Sequence, residues 1–394
     1  MTTTLPDVHQ AEPIPQAAWE EVQALLTSAD LFRYTAPENS PVARLETAFA
    51  EKLGAKYAVA VASCSAALFL SLKALGLPRG AKVLIPAFTF AAVPSSVVHA
   101  DCEPVLIDVK DNYRIDIEDY LRKLPDADAV MISHMRGHTS DMDAIMQAAD
   151  AAGIPVIEDA AHSLGTLWNG RKIGTIGKIG CFSFQSYKML NAGEGGILIS
   201  EDADLIARAV IMSGAYEHNW KKHPVLHDAF AKWQNELPLY NTRMSNLSAA
   251  VILPQLDELE RRCVDGLRNH DHMADLLNAT PYFNVPPALP QETRAPDSIQ
   301  FNLVGFTDDQ ARGFVQELKD RHLGAQVFGL STDNARAFWN WRFIGPQGPL
   351  PQTEAMLVRA CDVRLPVRLS LTEVEAIAEA VIAAAETAKM AKAA

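Results

Sequence analysis

Three short apolar runs between residues 155 and 200 constrain this chain most. Pro155-Val156-Ile157 leads into Glu158 and Asp159, Cys181-Phe182-Ser183-Phe184 is followed four residues later by Lys188, and Ile197-Leu198-Ile199 ends at Ser200. Runs this short, bounded by glycines and polar residues, read as buried strands rather than helices. Earlier strands are expected at 57–61, 82–85, 104–109 and 129–133. Helical patterns alternate with them: one before the first, stopping at Gly54, one that opens at Ser63 and stops at Gly76, and one over 91–100. Strands alternating with helices imply a mainly parallel sheet with right-handed crossovers. Ligands of such sheets bind beyond the carboxyl ends of the strands. Asp159 and Lys188 therefore fall on the rim where chemistry would sit.

A strand-end acid paired with a later loop lysine fits pyridoxal phosphate. That cofactor needs a lysine for its Schiff base and an acid for its pyridine nitrogen. The same two residues fit, on spacing alone, a plain strand-end acid and a solvated lysine, and both readings stand at this point.

The stretch EDAAHSLGTLWNGRKIGTIGKIGCFSFQSYKMLNAGEGG, residues 158–196, resembles the core of the DegT/DnrJ/EryC1/StrS aminotransferases. These are pyridoxal phosphate enzymes of fold type I, and many aminate keto-sugars. The resemblance covers most of residues 30–255 and fades afterwards. It implies the fold-type I α/β architecture: a large domain with a seven-stranded-type, mainly parallel sheet, and a smaller α/β C-terminal domain. It also implies that Lys188 and Asp159 are catalytic, Lys188 forming the Schiff base and Asp159 keeping the ring nitrogen protonated. Where the family reads Ser-Gly-Thr to hold the cofactor phosphate, this chain reads Ser63-Cys64-Ser65, which makes Cys64 and Ser65 cofactor-binding candidates. Small residues at a helix start leave backbone N–H groups open to a phosphate. Ser183 matches the family's phosphate-binding serine, Phe90 the aromatic stacked on the ring, and His162 the group near the ring's phenolic oxygen.

Asn241-Thr242-Arg243-Met244 resembles the family's Asn-Tyr-Arg-Met. By that resemblance Asn241 reaches the cofactor phosphate of a neighbouring subunit and Arg243 meets the carboxylate of the amino donor. The active site is then shared across an obligatory homodimer. Arg136 departs from the family, which has an aromatic or aliphatic residue before Gly137. At this rim it could pair with a substrate carboxylate or phosphate, or serve in a structural ion pair. Members that dehydrate sugars replace the Schiff-base lysine with histidine, and Lys188 speaks against that branch.

The net charge of −13 argues against nucleic-acid binding. No apolar stretch reaches the length of a membrane span, and the start of the chain lacks the basic and apolar regions of a signal peptide. Five scattered cysteines, with no CxxC pair and no zinc spacing, fit reduced thiols in a cytoplasmic protein without a metal. The chain is expected to divide into an arm (1–25), a large domain (26–255) and a small domain (256–394). Residues 214–240 read as an irregular active-site wall, and 325–328 as a strand. The expected activity is transfer of an amino group, from glutamate or glutamine, to a keto-sugar or cyclitol. The alternatives are a small carboxylate-bearing or amine substrate, and a non-catalytic binding or regulatory protein on the same fold.

Overall fold

The structure, a computed structural model, describes residues 5–35, 39–223 and 226–390. Its strands run in chain order β1 (Tyr57–Val61), β2 (Lys82–Pro86), β3 (Glu103–Ile107), β4 (Ala129–Ser133), β5 (Val156–Asp159), β6 (Leu167–Trp168), β7 (Arg171–Lys172), β8 (Ile179–Ser183), β9 (Gly196–Ser200), β10 (Phe283–Asn284), β11 (Glu292–Thr293), β12 (Ser298–Leu303) and β13 (Ala360–Arg364). Seven of them form one sheet in the order β1-β9-β8-β5-β4-β2-β3. Only β9 runs antiparallel to its neighbours β1 and β8. The other pairings are parallel, and they bring the carboxyl ends of β4, β5 and β8 side by side.

Both faces of this sheet are covered, so its strands are apolar on both sides. Alternation divides them. Ala60, Leu84, Val130, Ile132 and Phe182 pack on one face, and Val59, Val83, Met131, Ile157 and Cys181 on the other. On the first face lie α2 (Pro41–Leu53) and α5 (Ile117–Lys123); on the second lie α3 (Cys64–Leu75) and α4 (Ala92–His99). An earlier helix, α1 (Gln16–Ser28), follows the proline-rich start.

The helix ends follow the local chemistry. Ser40, Ser63 and Asp141 accept from Ala43 N, Ala66 N and Ala144 N, capping α2, α3 and α6 (Met142–Ala152). Gly54, Gly76 and Gly153 end the same helices in the left-handed conformation. Then come α7 (Ala203–Gly214), α8 (His227–Trp233), α9 (Asn246–Ile252) and α10 (Leu259–Asn278). Pro254 interrupts the path from α9 to α10 with a short 3-10 segment, so α10 begins only at Leu259.

A second sheet, β10-β12-β13, packs with α10, α11 (Asp308–Asp320) and α13 (Leu371–Met390) around its own core. Thr307 and Gln310 cap α11 reciprocally. Residues 325–328 do not form the expected strand. Val327 makes a single bridge to Cys361, and a 3-10 turn follows at Phe328–Leu330, before α12 (Pro351–Leu357). Gly324 and Gly329 bracket this stretch, which limits its extension as a ladder.

Residues 214–240 also differ from expectation. They contain α8 and a 3-10 turn at Asn219–Lys222, and Trp220 and Phe230 are buried in the second-face core. The N-terminal arm lies along its own chain, where Arg262 donates to Pro13 O and Arg368 to Asp7 O.

Gly196 opens β9 directly against the start of α3. A Cβ there would overlap the backbone of Ser63 and Cys64. Gly196→Ala is expected to cost about 1–3 kcal/mol through forced displacement of that helix start, measured as a lower denaturant midpoint at unchanged slope.

Candidate active site

A cavity of about 460 Å³ opens at the carboxyl ends of β4, β5 and β8. Asp159 and Lys188 both line it, as do Cys64, Ser65, Phe90, His162, Ser183 and Arg136. Eight residues spread over 125 positions of sequence therefore meet around one space, because the parallel strands release their chains at the same edge.

Asp159 is buried at the end of β5. Ser133 Oγ donates to its Oδ2 at 2.7 Å, and Ala161 N to its Oδ1 at 3.1 Å. Thr89 Oγ1 donates in turn to Ser133 Oγ at 2.8 Å, which holds the serine proton toward the acid. No cationic side chain pairs with Asp159 among the described residues. A buried carboxylate in that condition suits a ligand that brings its own positive charge. The Cys64 thiol lies 3.9 Å from Asp159 Oδ1; burial, and then the charge of Asp159, push its pKa well up, so it stays protonated.

The neighbouring acid faces the other way. Glu158 is fully buried and accepts from Gly174 N, Ile176 N and Gly177 N at 2.9, 2.7 and 2.6 Å. Its other partner is His134 Nε2 at 3.3 Å. Burial raises the Glu158 pKa, but the bond and charge of His134 with the amides of Gly177 and Gly174 outweigh it, and the net shift is downward. Glu158 thus fastens the loop that leads into β8.

Lys188 sits in the loop after β8, with its Nζ 2.7 Å from His162 Nε2 and 3.1 Å from Nδ1. Burial first, and then the charge of Arg136, lower its amine to about 8, against the opposing pull of Asp297 and Asp159. Burial and the charge of Lys188 hold His162 well below the usual imidazole range, so its ring is neutral. The loop is stapled from outside. Gln255 accepts from Asn191 N and donates to Asn191 O, while the buried Arg262 donates to Met189 O at 2.8 Å.

The amides of Cys64 and Ser65 begin α3 with no carbonyl four residues back, and they face this cavity together with Ser183. Phe90 stands on the cavity wall and is 49% exposed. Arg136, at φ 52°, pairs with Asp362 at 2.7 Å and lies 3.8 Å from Asp297. It thus lines the cavity and serves an ion pair at once.

Two sequence candidates lie elsewhere. Asn241 is exposed, and neither it nor Arg243 lines the cavity of its own chain. Arg243 donates to Gly214 O and sits between the rings of Phe32 and Tyr216. No described residue of 214–240 lines the cavity of its own chain either. Sequence reasoning missed Ser133, Gln185, Tyr187, Arg336 and Arg364. Ser133 could have been found as the last residue of a strand beside β5. Gln185 and Tyr187 flank Lys188. Nothing local marks Arg336 or Arg364.

The chain belongs to the DegT/DnrJ/EryC1/StrS aminotransferase family, whose model matches residues 16–382. It is 37% identical over 225 residues to the spore coat polysaccharide biosynthesis protein SpsC of Bacillus subtilis, covering 56% of this chain and 57% of that protein. It is 33% identical over 220 residues to the GDP-perosamine synthase of Vibrio cholerae, covering 55% and 57%. The chain thus spans just over half the length of these curated relatives. The aminotransferase TlmJ from Streptoalloteichus hindustanus has the same fold, with a TM-score of 0.84 over 98% of this chain and 99% of that one at 22% identity. The fold is type I of the pyridoxal phosphate enzymes.

In protein freed of cofactor, the Lys188 amine is expected to react with an amine-selective reagent with a midpoint near pH 8, because only its uncharged form is nucleophilic. Arg136→Gln removes a positive charge that disfavours the ammonium form, so the midpoint should move upward. Peptide mass mapping of the labelled lysine against pH reads both.

Proposed function

We propose that this chain is a pyridoxal phosphate-dependent aminotransferase that moves an amino group from an amino acid to the carbonyl of a second substrate. One observation carries the reading: Lys188 Nζ and a buried Asp159 without a cationic partner share the walls of one cavity. The cofactor, when bound, supplies an electron sink for the carbon that loses a proton. Asp159 is suited to accept from a protonated ring nitrogen, and Ser133 orients the carboxylate for it. Ser65, Ser183 and the first amides of α3 are the phosphate cradle. Cys64 packs a neutral thiol against the acid, and Phe90 is the aromatic that meets the ring.

Lys188 would hold the cofactor, and its amine is placed to move the proton. With its amine lowered to about 8, a sizeable uncharged fraction is present near neutrality, so Nζ can take a proton from the substrate carbon and return one. His162, neutral and in contact with Nζ, fixes where that amine rests without competing for its proton.

The two substrates use the site in turn, which predicts ping-pong kinetics. Glutamate or glutamine is the proposed donor. The relatives named for spore coat polysaccharide biosynthesis and GDP-perosamine synthesis favour a keto-sugar or cyclitol as acceptor. We take the chain as an arm (1–25), a large cofactor-binding domain (26–255) and a small domain (256–394), acting in the cytoplasm as a homodimer. In that dimer Asn241 and Arg243 serve the neighbouring site, which accounts for their distance from the cavity of their own chain.

The test is an absorbance spectrum of purified protein with added cofactor, before and after L-glutamate, L-glutamine and L-alanine separately. A visible band that one donor shifts toward the ultraviolet establishes the donor half-reaction, and Lys188→Ala should abolish turnover by at least about a thousandfold. No chromophore would overturn the reading in favour of a non-catalytic binding protein.

A further inference from the structure

Charge is not balanced beside Lys188. Three guanidinium groups line its cavity: Arg136 after β4, Arg336 from the turn-rich segment before α12, and Arg364 at the end of β13. Two carboxylates answer them. Asp362 lies 2.7 Å from Arg136 Nη2 and 3.6 Å from Arg336 Nη2, and Asp297 lies 3.8 Å from Arg136 Nη1. Arg364 pairs with no acid among the described residues. Its guanidinium carbon lies over Tyr187, 4.2 Å from the ring centroid, beside Lys188 in sequence.

The donors are unsatisfied as well. Nε and Nη1 of Arg364 and Nε of Arg336 are buried and make no hydrogen bond among the described residues. Buried donors are ordinarily paired, and an edge of a guanidinium fits both oxygens of a carboxylate at once. Tyr187 beneath Arg364, and Phe328 at 5.1 Å from Arg336, hold each group without using its N–H edge. Arg136 Nε is unpaired too, but Asp362 holds Arg136 Nη2 at 2.7 Å, against 3.6 Å for Arg336, which makes Arg136 a wall. All three arginines also border an adjoining cavity of about 740 Å³. They therefore stand between the reacting end of the site and its outer space, where the far end of a substrate held at Lys188 would arrive.

We propose that Arg364 and Arg336 form an anion subsite for the carboxylate of an amino-acid or oxo-acid substrate, with the Arg136–Asp362 pair as its fixed wall. The identity of the substrate rests on the aminotransferase reading; the anion subsite itself does not. It makes at least one of the two substrates that pass through this site an acid.

The first measurement is calorimetric titration of the purified protein with maleate, a dicarboxylate that has neither amino nor oxo group. The unaltered protein should bind it. Arg364→Leu and Arg336→Gln should each weaken binding by about tenfold or more, and Arg364→Lys should recover part of the loss. Unchanged circular dichroism and melting temperature show that the variants are folded. Absent binding to the unaltered protein, or equal affinity in the folded variants, overturns the proposal. A preference for inorganic phosphate over maleate that is lost in Arg364→Leu overturns it too.

Half-reactions then say whose carboxylate it is. A defect of Arg364→Leu confined to amine loading from L-glutamate assigns it to the donor. A defect that extends to discharge onto pyruvate, and not onto uncharged dihydroxyacetone, assigns it to the acceptor as well. Should no chromophore form, the aminotransferase reading falls, while the maleate titration still decides the subsite.

Discussion

Two adjacent carboxylates at the end of β5 hold the two halves of this site apart and in register. Strand alternation sends Glu158 to one face of the sheet and Asp159 to the other. Glu158 gathers three backbone amides and His134, which fixes the loop entering β8 and so the start of the path to Lys188. Asp159 is left on the α3 face, held by Ser133 and the Ala161 amide. A buried acid without amides or a cation is costly. Each of these two is accommodated by a different means: Glu158 by the fold, Asp159 by hydrogen bonds that still leave it without a counter-charge.

The same electrostatic economy extends to Lys188. Its amine is buried against a neutral histidine and within the field of Arg136, so its proton is weakly held. Arg136 belongs also to the arginine and aspartate group contributed by β13 and its neighbours. The second sheet therefore does more than cap the first. Asp297, just before β12, adds to the charge that the lysine experiences, and β13 supplies Arg364 to the cavity lining.

Much of this was legible in advance where a residue's role depends on its own strand or helix. Asp159, Ser183 and the Ser63 cap of α3 follow from short apolar runs that end at a common rim, and Lys188 from its place just beyond one. The glycine stops at 54 and 76 mark helix ends because each takes the left-handed backbone that other residues resist. The stretch 214–240 misled because its polar and aromatic composition resembles a loop, whereas Trp220 and Phe230 are spaced to bury themselves against the sheet. Residues 325–328 misled because a short apolar run says nothing about whether a partner strand is free beside it, and Val327 meets Cys361 at one bridge only.

By itself the sequence determined the alternation of strands and helices, the order of the rim residues and the resemblance that named their chemistry. Those depend on local periodicity and on motifs contiguous in the chain. Tertiary structure alone decided which residues meet at the site from far away: Arg364 over Tyr187 and Arg336 over Phe328, Gln255 and Arg262 bracing the lysine loop, and Asp362 answering Arg136. It also set the balance of burial and charge that lowers the Lys188 amine. Such effects act through space and fall off with distance, and distance between residues far apart in the chain is a property of the fold rather than of any segment.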